Sequence, residues 1–281
     1  MTKKNSEIYF HVGAERTGTK YMQSKVFPLL KGVHFINKDR YHKVEQLLSL
    51  QQYDKYLISY ELNFKGQFEQ ELSKFHKKFP KAKIILILRS QHSWIVSQYK
   101  RSVKNGRRLG FNDMLNVNTD DSVYKSSDLK YINKIQFIEN LFENAPLVLS
   151  YDDMKDVVQF TDQICDYMGV DYNSDAIDLK RKHTSYNEKQ LRAIQRVNKR
   201  INISREKVSK SPLINFVYRL YIDAIRYTVL YTAKFLPNAW LGKAPIVEKD
   251  KIEEVKNFYK EDWQTTNAYI KDKARTKSVR A

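Results

Sequence analysis

Gly13, Arg16, Thr17, Gly18, Thr19 and Lys20 fall within a single short stretch, Ile8 to Gln23, IYFHVGAERTGTKYMQ. Residues of these types at this spacing can hold a phosphate. Glycines allow a tight loop, threonine hydroxyls and backbone N–H groups supply hydrogen bonds, and Arg16 adds full charge at the crown. Tyr9, Phe10 and Val12 are strand formers ahead of the loop. The helix expected from Thr19 begins with unpaired N–H groups pointing back into it. Two more residues could work beside this loop. Glu61 follows the strand Tyr56 to Tyr60, and a carboxylate there can take the proton of an attacking hydroxyl. Arg89 closes the apolar run IILIL, at the carboxyl edge where ligands bind in open α/β sheets. His11 lies inside the first strand and reads as a hydrogen-bonded core residue.

These residues need a scaffold that brings strand ends together. After the first strand and helix the chain alternates: a strand near Val33 to Ile36, a helix from Tyr41 to Leu50, the strand Tyr56 to Tyr60, a helix from Gln67 to Phe79 and a strand from Lys83 to Leu88. Such alternation predicts a parallel sheet. IILIL is apolar at every position, as a strand covered on both faces requires, which assigns it to the sheet's centre. A helix from Ser93 to Lys104 ends at Asn105-Gly106. The polar stretch Arg107 to Asp128 then reads as an active-site loop or lid. A helix from Leu129 to Phe142 and a strand from Pro146 to Ser150 follow. Asp152 and Asp153 are expected to cap a helix from about Lys155 to Met168, stopped by Gly169.

Beyond Asp175 the signals are helical, over Glu188 to Ile201, Pro212 to Leu236, and about Glu248 to Lys271. The expected fold is therefore α/β, a central parallel sheet flanked by helices with a helical C-terminal portion. Residues 1–175 form the α/β core and 176–281 a mainly helical extension packed on it, a single domain overall. In the long segment, Asn215, Arg219, Asp223 and Arg226 form a polar stripe amid Phe216, Leu220, Tyr221, Ile225, Tyr227 and Tyr231. That pattern is amphipathic and not transmembrane. Core packing is the first reading, ahead of a wall of the acceptor site or an element on a membrane surface.

A formal charge of +18, from 50 Lys and Arg against 32 Asp and Glu, implies anionic partners. The single cysteine, Cys165, excludes an internal disulfide, and the six histidines show no zinc spacing. A reducing compartment and no metal are expected. The opening MTKKNSE is polar and has no secretory h-region, so the expected location is cytoplasmic, with the inner membrane face as a variant. The basic runs KRKH at 180–183 and RRL from Arg107 read as solvated faces that could also bind a phosphate or an acidic glycan.

Written as a pattern, Gly13 to Lys20 is G-x-x-R-T-G-T-K, close to the nucleotide-triphosphatase loop G-x-x-x-x-G-K-[ST] with its last two residues reversed. A threonine stands where that loop needs its lysine, and no apolar strand ending in aspartate supplies a magnesium ligand. HVGAERTGTKYMQ instead resembles the 5′-phosphosulfate loop of the sulfotransferases, especially the bacterial and carbohydrate-acting branches. LRSQHSWIVSQYKRSVKNG, from Leu88 to Gly106, resembles that family's 3′-phosphate segment. LISYEL, LVLSYDDM and HTSYNEKQL give weaker matches, so the resemblance covers about Ile8 to Asn198.

The resemblance implies a P-loop-like, sulfotransferase-type fold and the co-substrate 3′-phosphoadenosine 5′-phosphosulfate, without metal. It assigns the 5′-phosphosulfate to Arg16, Thr17, Gly18, Thr19 and Lys20, and the 3′-phosphate to Arg89 and Ser97. Catalysis falls to Arg16, which would neutralise charge on the leaving oxygen, and to Glu61 as base. The bland alternative for Glu61 is an ion pair with a lysine such as Lys65. Trp94 reads as helix packing before an edge of the adenine pocket. The implied acceptor is a hydroxyl of a carbohydrate or glycolipid, which could itself be anionic; peripheral membrane contact fits, and no nucleic acid is expected. The alternatives are a P-loop kinase or ATPase, and a non-catalytic basic protein bound to nucleic acid or membrane.

Overall fold

The computed structural model of the protein describes residues 6–178, 186–206 and 208–278. In chain order its elements are β1 (Glu7–Gly13), α1 (Thr19–Tyr21), which runs on as a π-helical stretch over Met22–Val26, β2 (His34–Ile36), α2 (Val44–Ser49), β3 (Lys55–Glu61), α3 (Gln67–Lys78), β4 (Lys83–Leu88), α4 (Gln91–Lys104), α5 (Phe111–Met114), α6 (Tyr131–Leu141), β5 (Leu147–Ser150), α7 (Val157–Met168), α8 (Glu188–Arg200), α9 (Pro212–Thr232), α10 (Asn238–Leu241), α11 (Lys249–Phe258) and α12 (Lys260–Ser278). The chain divides into two compact units. His92–Ser126 and His183–Phe258 form the second, and the first comprises Met1–Gln91, Ser127–Lys182 and Tyr259–Ala281. The run KRKH at 180–183 lies outside the described residues.

The first unit is built on a five-stranded, wholly parallel sheet in the order β2-β3-β1-β4-β5. β1 takes the middle place, with β4 beside it. Ile84 to Leu88 are completely buried, because helices cover both faces of an interior parallel strand. Tyr9, Phe27, Leu57, Ile85, Phe160 and Ile164 anchor the core on one face, each such burial contributing about 1.5–3 kcal/mol. The register sets Gly13 opposite both Glu61 and Ile87, so β1, β3 and β4 end together at one edge.

Several helix ends differ from their sequence expectation. The segment expected as one helix from Tyr41 begins as a 3₁₀ turn over Lys38–Lys43 and becomes α-helical only at Val44. α7 is capped by Asp156, whose carboxylate accepts the Gln159 N–H at 3.0 Å, while Asp152 and Asp153 sit in the preceding 3₁₀ turn, capped by Ser150. Gly169 does stop α7, in the left-handed conformation at φ 59°. The expected helix Glu248 to Lys271 breaks at Tyr259 into α11 and α12, and α12 belongs to the first unit. There Asp262 caps α6 from outside, accepting from the N–H groups of Tyr131 (3.0 Å) and Ile132 (3.3 Å) and from Gln91 Nε2 (2.6 Å).

In the second unit the stretch from Arg107 carries α5 and a bridge from Leu115 to Tyr124, with Met114, Leu115 and Tyr124 buried. Trp94 is buried too, edge-on to Tyr124 at 5.0 Å, as a packing residue. Gly106, at φ 73°, lies where a Cβ would come within 2.5 Å of the Ile203 carbonyl oxygen. α9 reverses the expected packing of its apolar residues. Its buried side holds Asn215, Ile222, Arg226 and Leu230, while Leu213, Phe216, Val217, Leu220 and Tyr221 face solvent. Arg226 is held by Lys104 C=O (3.0 Å), Asn105 Oδ1 (3.2 Å) and Asp223 Oδ1 (3.1 Å). Among the described residues no helix is long and apolar enough to cross a membrane.

Candidate functional site

The chain leaves β1 at Gly13 and turns through Ala14 to Gly18 before α1 starts. The first helical bonds run from the N–H groups of Tyr21 (2.9 Å) and Met22 (3.1 Å) to Gly18 C=O, so the N–H groups of residues 17 to 20 precede them. Two residues of the turn are left-handed. Gly18 is at φ 82°, and Arg16 is at φ 73°, a conformation that costs a side-chain-bearing residue about 1 kcal/mol or more. A Cβ on Gly18 would lie 2.4 Å from Met154 Sδ, a contact the flexible methionine relieves by shifting, so it is the left-handed backbone that calls for glycine at position 18.

Inside this turn the two threonines point inward. Thr17 and Thr19 are buried, and the Thr17 hydroxyl donates to Ala14 C=O at 2.7 Å, tying the loop across its own base. Arg16 and Lys20 are exposed at the crown. The loop's cations therefore lie at its surface, while Thr17 chiefly holds the loop's shape.

Arg89 follows β4 and donates from Nη1 to Arg16 C=O at 3.4 Å, so the end of β4 meets the loop. Its guanidinium lies over the Tyr151 ring, 4.7 Å from the centroid. Tyr131 donates its hydroxyl to Arg89 C=O at 2.9 Å, and burial raises that phenol's pKa well above its ordinary value, keeping it a donor. Burial lowers the Arg89 pKa, with the charge of Arg16 adding to the shift, and Nε is buried without a hydrogen-bond partner. An anion would satisfy both needs.

Glu61 ends β3 beside Gly13, with its side chain 6% exposed and paired to Lys38 Nζ at 3.2 Å. Lys38 belongs to the 3₁₀ turn after β2, and sequence reasoning did not name it. Arg16, Thr17, Gly18, Thr19, Lys20, Glu61 and Arg89 thus share one edge of the first unit. Ser97 lies on α4, in the second unit, and is buried there.

His11 sits beneath the loop. Its Nδ1 is 2.7 Å from Ser59 Oγ, which also accepts from Gln23 Nε2 at 2.9 Å. Desolvation pulls the ring's pKa down to about 3, so it is neutral at ordinary pH, as a core residue should be. Tyr151 and Met154 are the residues that sequence reasoning passed over. Both lie just past β5, in the quoted LVLSYDDM, and adjacency of β5 to β4 brings them to the loop. Among the described residues no group of His, Cys, Asp and Glu comes together as a metal ion would need.

A sulfotransferase domain model matches residues 9–215. No curated protein matches the chain. Among solved structures, a sulfotransferase from Alicyclobacillus acidocaldarius is similar at 15% identity with a TM-score of 0.47, over 69% of this chain and 93% of that one.

Proposed function

The chain belongs to the sulfotransferase domain family, and on that premise we propose that it transfers a sulfuryl group from 3′-phosphoadenosine 5′-phosphosulfate to a hydroxyl of a carbohydrate or glycolipid. The observation that carries the reading is the meeting of Arg89 with the glycine loop, where Nη1 reaches the Arg16 carbonyl and a buried Nε is left without a partner. A doubly phosphorylated donor suits two cations at one sheet edge. Arg16, Lys20 and the N–H groups of residues 17 to 20 would hold its 5′-phosphosulfate, and Arg89 its 3′-phosphate.

Glu61 is the group proposed to receive the acceptor's proton. As the acceptor oxygen forms its bond to sulfur, the bond from sulfur to the bridging phosphate oxygen breaks, and its electron pair leaves on the nucleotide. Arg16, fixed at full charge, stabilises that leaving oxygen without proton transfer. Lys38, 3.2 Å from Glu61, would hold the carboxylate in place beside the loop. No bridging metal enters this account. The cytoplasmic location is part of the same proposal, in keeping with a lone, buried Cys165 whose thiol burial pushes up to about 12.

Thermal unfolding with nucleotides tests the donor half. Adenosine 3′,5′-bisphosphate should raise the melting temperature without magnesium and ATP should not; the opposite preference would return the chain to the P-loop kinases. Transfer of labelled sulfate onto a panel of glycans, glycolipids and phenols tests the acceptor half. Labelling confined to phenols would overturn it.

A further inference from the structure

α9 is built inside out. At about 100° per residue, Leu213, Phe216, Val217, Leu220, Tyr221, Ala224, Tyr227, Thr228 and Tyr231 fall on an arc of roughly 140°, all exposed and none charged. The helix's own charges, Arg219, Asp223 and Arg226, lie off that arc, and Arg226 is sealed behind the helix by its three hydrogen bonds. Past the helix Phe235 and Trp240 are exposed as well, and the exposed large apolar residues from Leu213 to Trp240 are 37 to 87% exposed. A helix of 21 residues gives a strip about 30 Å long. A contiguous exposed apolar strip of this kind marks an interaction site.

Cations frame the strip. Lys210 and Arg219 stand exposed at one end with Phe216, around an open cavity of about 590 Å³. Lys234 and Lys243 are exposed at the other end, and Lys234 Nζ lies over the Tyr231 ring at 5.5 Å. We propose that this face rests on an anionic phospholipid bilayer, with α9 in the plane of the interface, its aliphatic and aromatic residues in the acyl boundary, and lipid phosphates at Lys210 and Arg219. Tyrosine and tryptophan suit that depth, being apolar in body and polar at the tip. Charge decides against a second copy as the occupant. A two-fold contact would press two chains of +18 together along like-charged rims, whereas an anionic surface complements the same rims. The inference goes beyond sulfuryl transfer and does not depend on it.

Sedimentation of the full chain with vesicles tests it, using phosphatidylcholine alone and phosphatidylcholine with about one quarter phosphatidylglycerol. The chain should pellet with the anionic vesicles and be released by salt. Leu213→Ser with Leu220→Ser should weaken that association about tenfold or more with the melting temperature unchanged. Lys210→Glu with Arg219→Glu should abolish the preference for phosphatidylglycerol, and decides the matter where the leucine pair fails to fold. A chain that stays in the supernatant with both vesicles overturns the proposal. So does a dimer in solution that the leucine pair converts to monomer, which would give the face to a second copy.

Discussion

β4 and α9 are both rich in aliphatic residues, and the fold uses them in opposite directions. In β4 every residue from Ile84 to Leu88 is buried, because a strand inside a parallel sheet has helices on both faces and no outer side. A helix has an outer side, and in α9 it is the apolar one. Arg226 settles which way the helix turns, since a buried guanidinium without its partners would cost several kcal/mol and here it finds three. Apolar content therefore marks the interior at β4 and the surface along α9, where the polar network is the part that is buried.

The largest effect that would separate the two regions is catalytic. Arg89→Ala, at the edge of the sheet, should lower kcat/KM for sulfuryl transfer by about two to three orders of magnitude and leave the fold intact. An activity unchanged by that substitution would sever the sheet edge from the chemistry. Next come two truncations of opposite type. Leu86→Ala in β4 and Arg226→Ala in α9 should each cost about 3 kcal/mol in urea unfolding, the first through a cavity and the second through a stranded network. A harmless Arg226→Ala would break the contrast.

Smaller effects sharpen it. Asp262→Ala should destabilise the first unit by about 2 kcal/mol, since three donors lose their acceptor at once. Acid should act through His11. Its folded value, about 3, lies below the 6.5 of an exposed histidine, so the unfolded chain takes up the proton first. The stability from keeping it neutral is complete above pH 6.5 and drains away as pH falls toward 3, at up to ~1.4 kcal/mol per pH unit. His11→Gln should flatten that slope in melts across pH. The smallest effect belongs to the exposed face. Leu220→Ser should change stability by less than about 0.5 kcal/mol in the same urea experiment, against the large loss at Leu86.

Much of the first unit was legible because its signals are local. The boundaries of β4 follow directly from IILIL, and the loop follows from two glycines bracketing Arg16 and Thr17. The convergence of Gly13, Glu61 and Arg89 followed from strand alternation alone, since parallel strands end at one edge. Other features depend on partners far along the chain. The left-handed backbone of Arg16 has no signal in its own residue type. Met154 presses on Gly18 only because β5 joins the sheet next to β4. Asp152 and Asp153 looked as good a cap as Asp156, and the choice turned on one 3₁₀ turn. The stripe Asn215, Arg219, Asp223, Arg226 was visible in α9, but periodicity gives two faces and does not say which one is inside.

Because Asp262 caps α6 from α12, the first unit owns both the beginning and the last described helix of the chain, and the second unit reads as an insertion in two pieces. A stop codon after Phe258 would spare all of the inserted sequence and yet strike the sheet-bearing unit, uncapping a helix whose own residues are untouched. Truncation from the C-terminus should thus damage the part of the molecule encoded first.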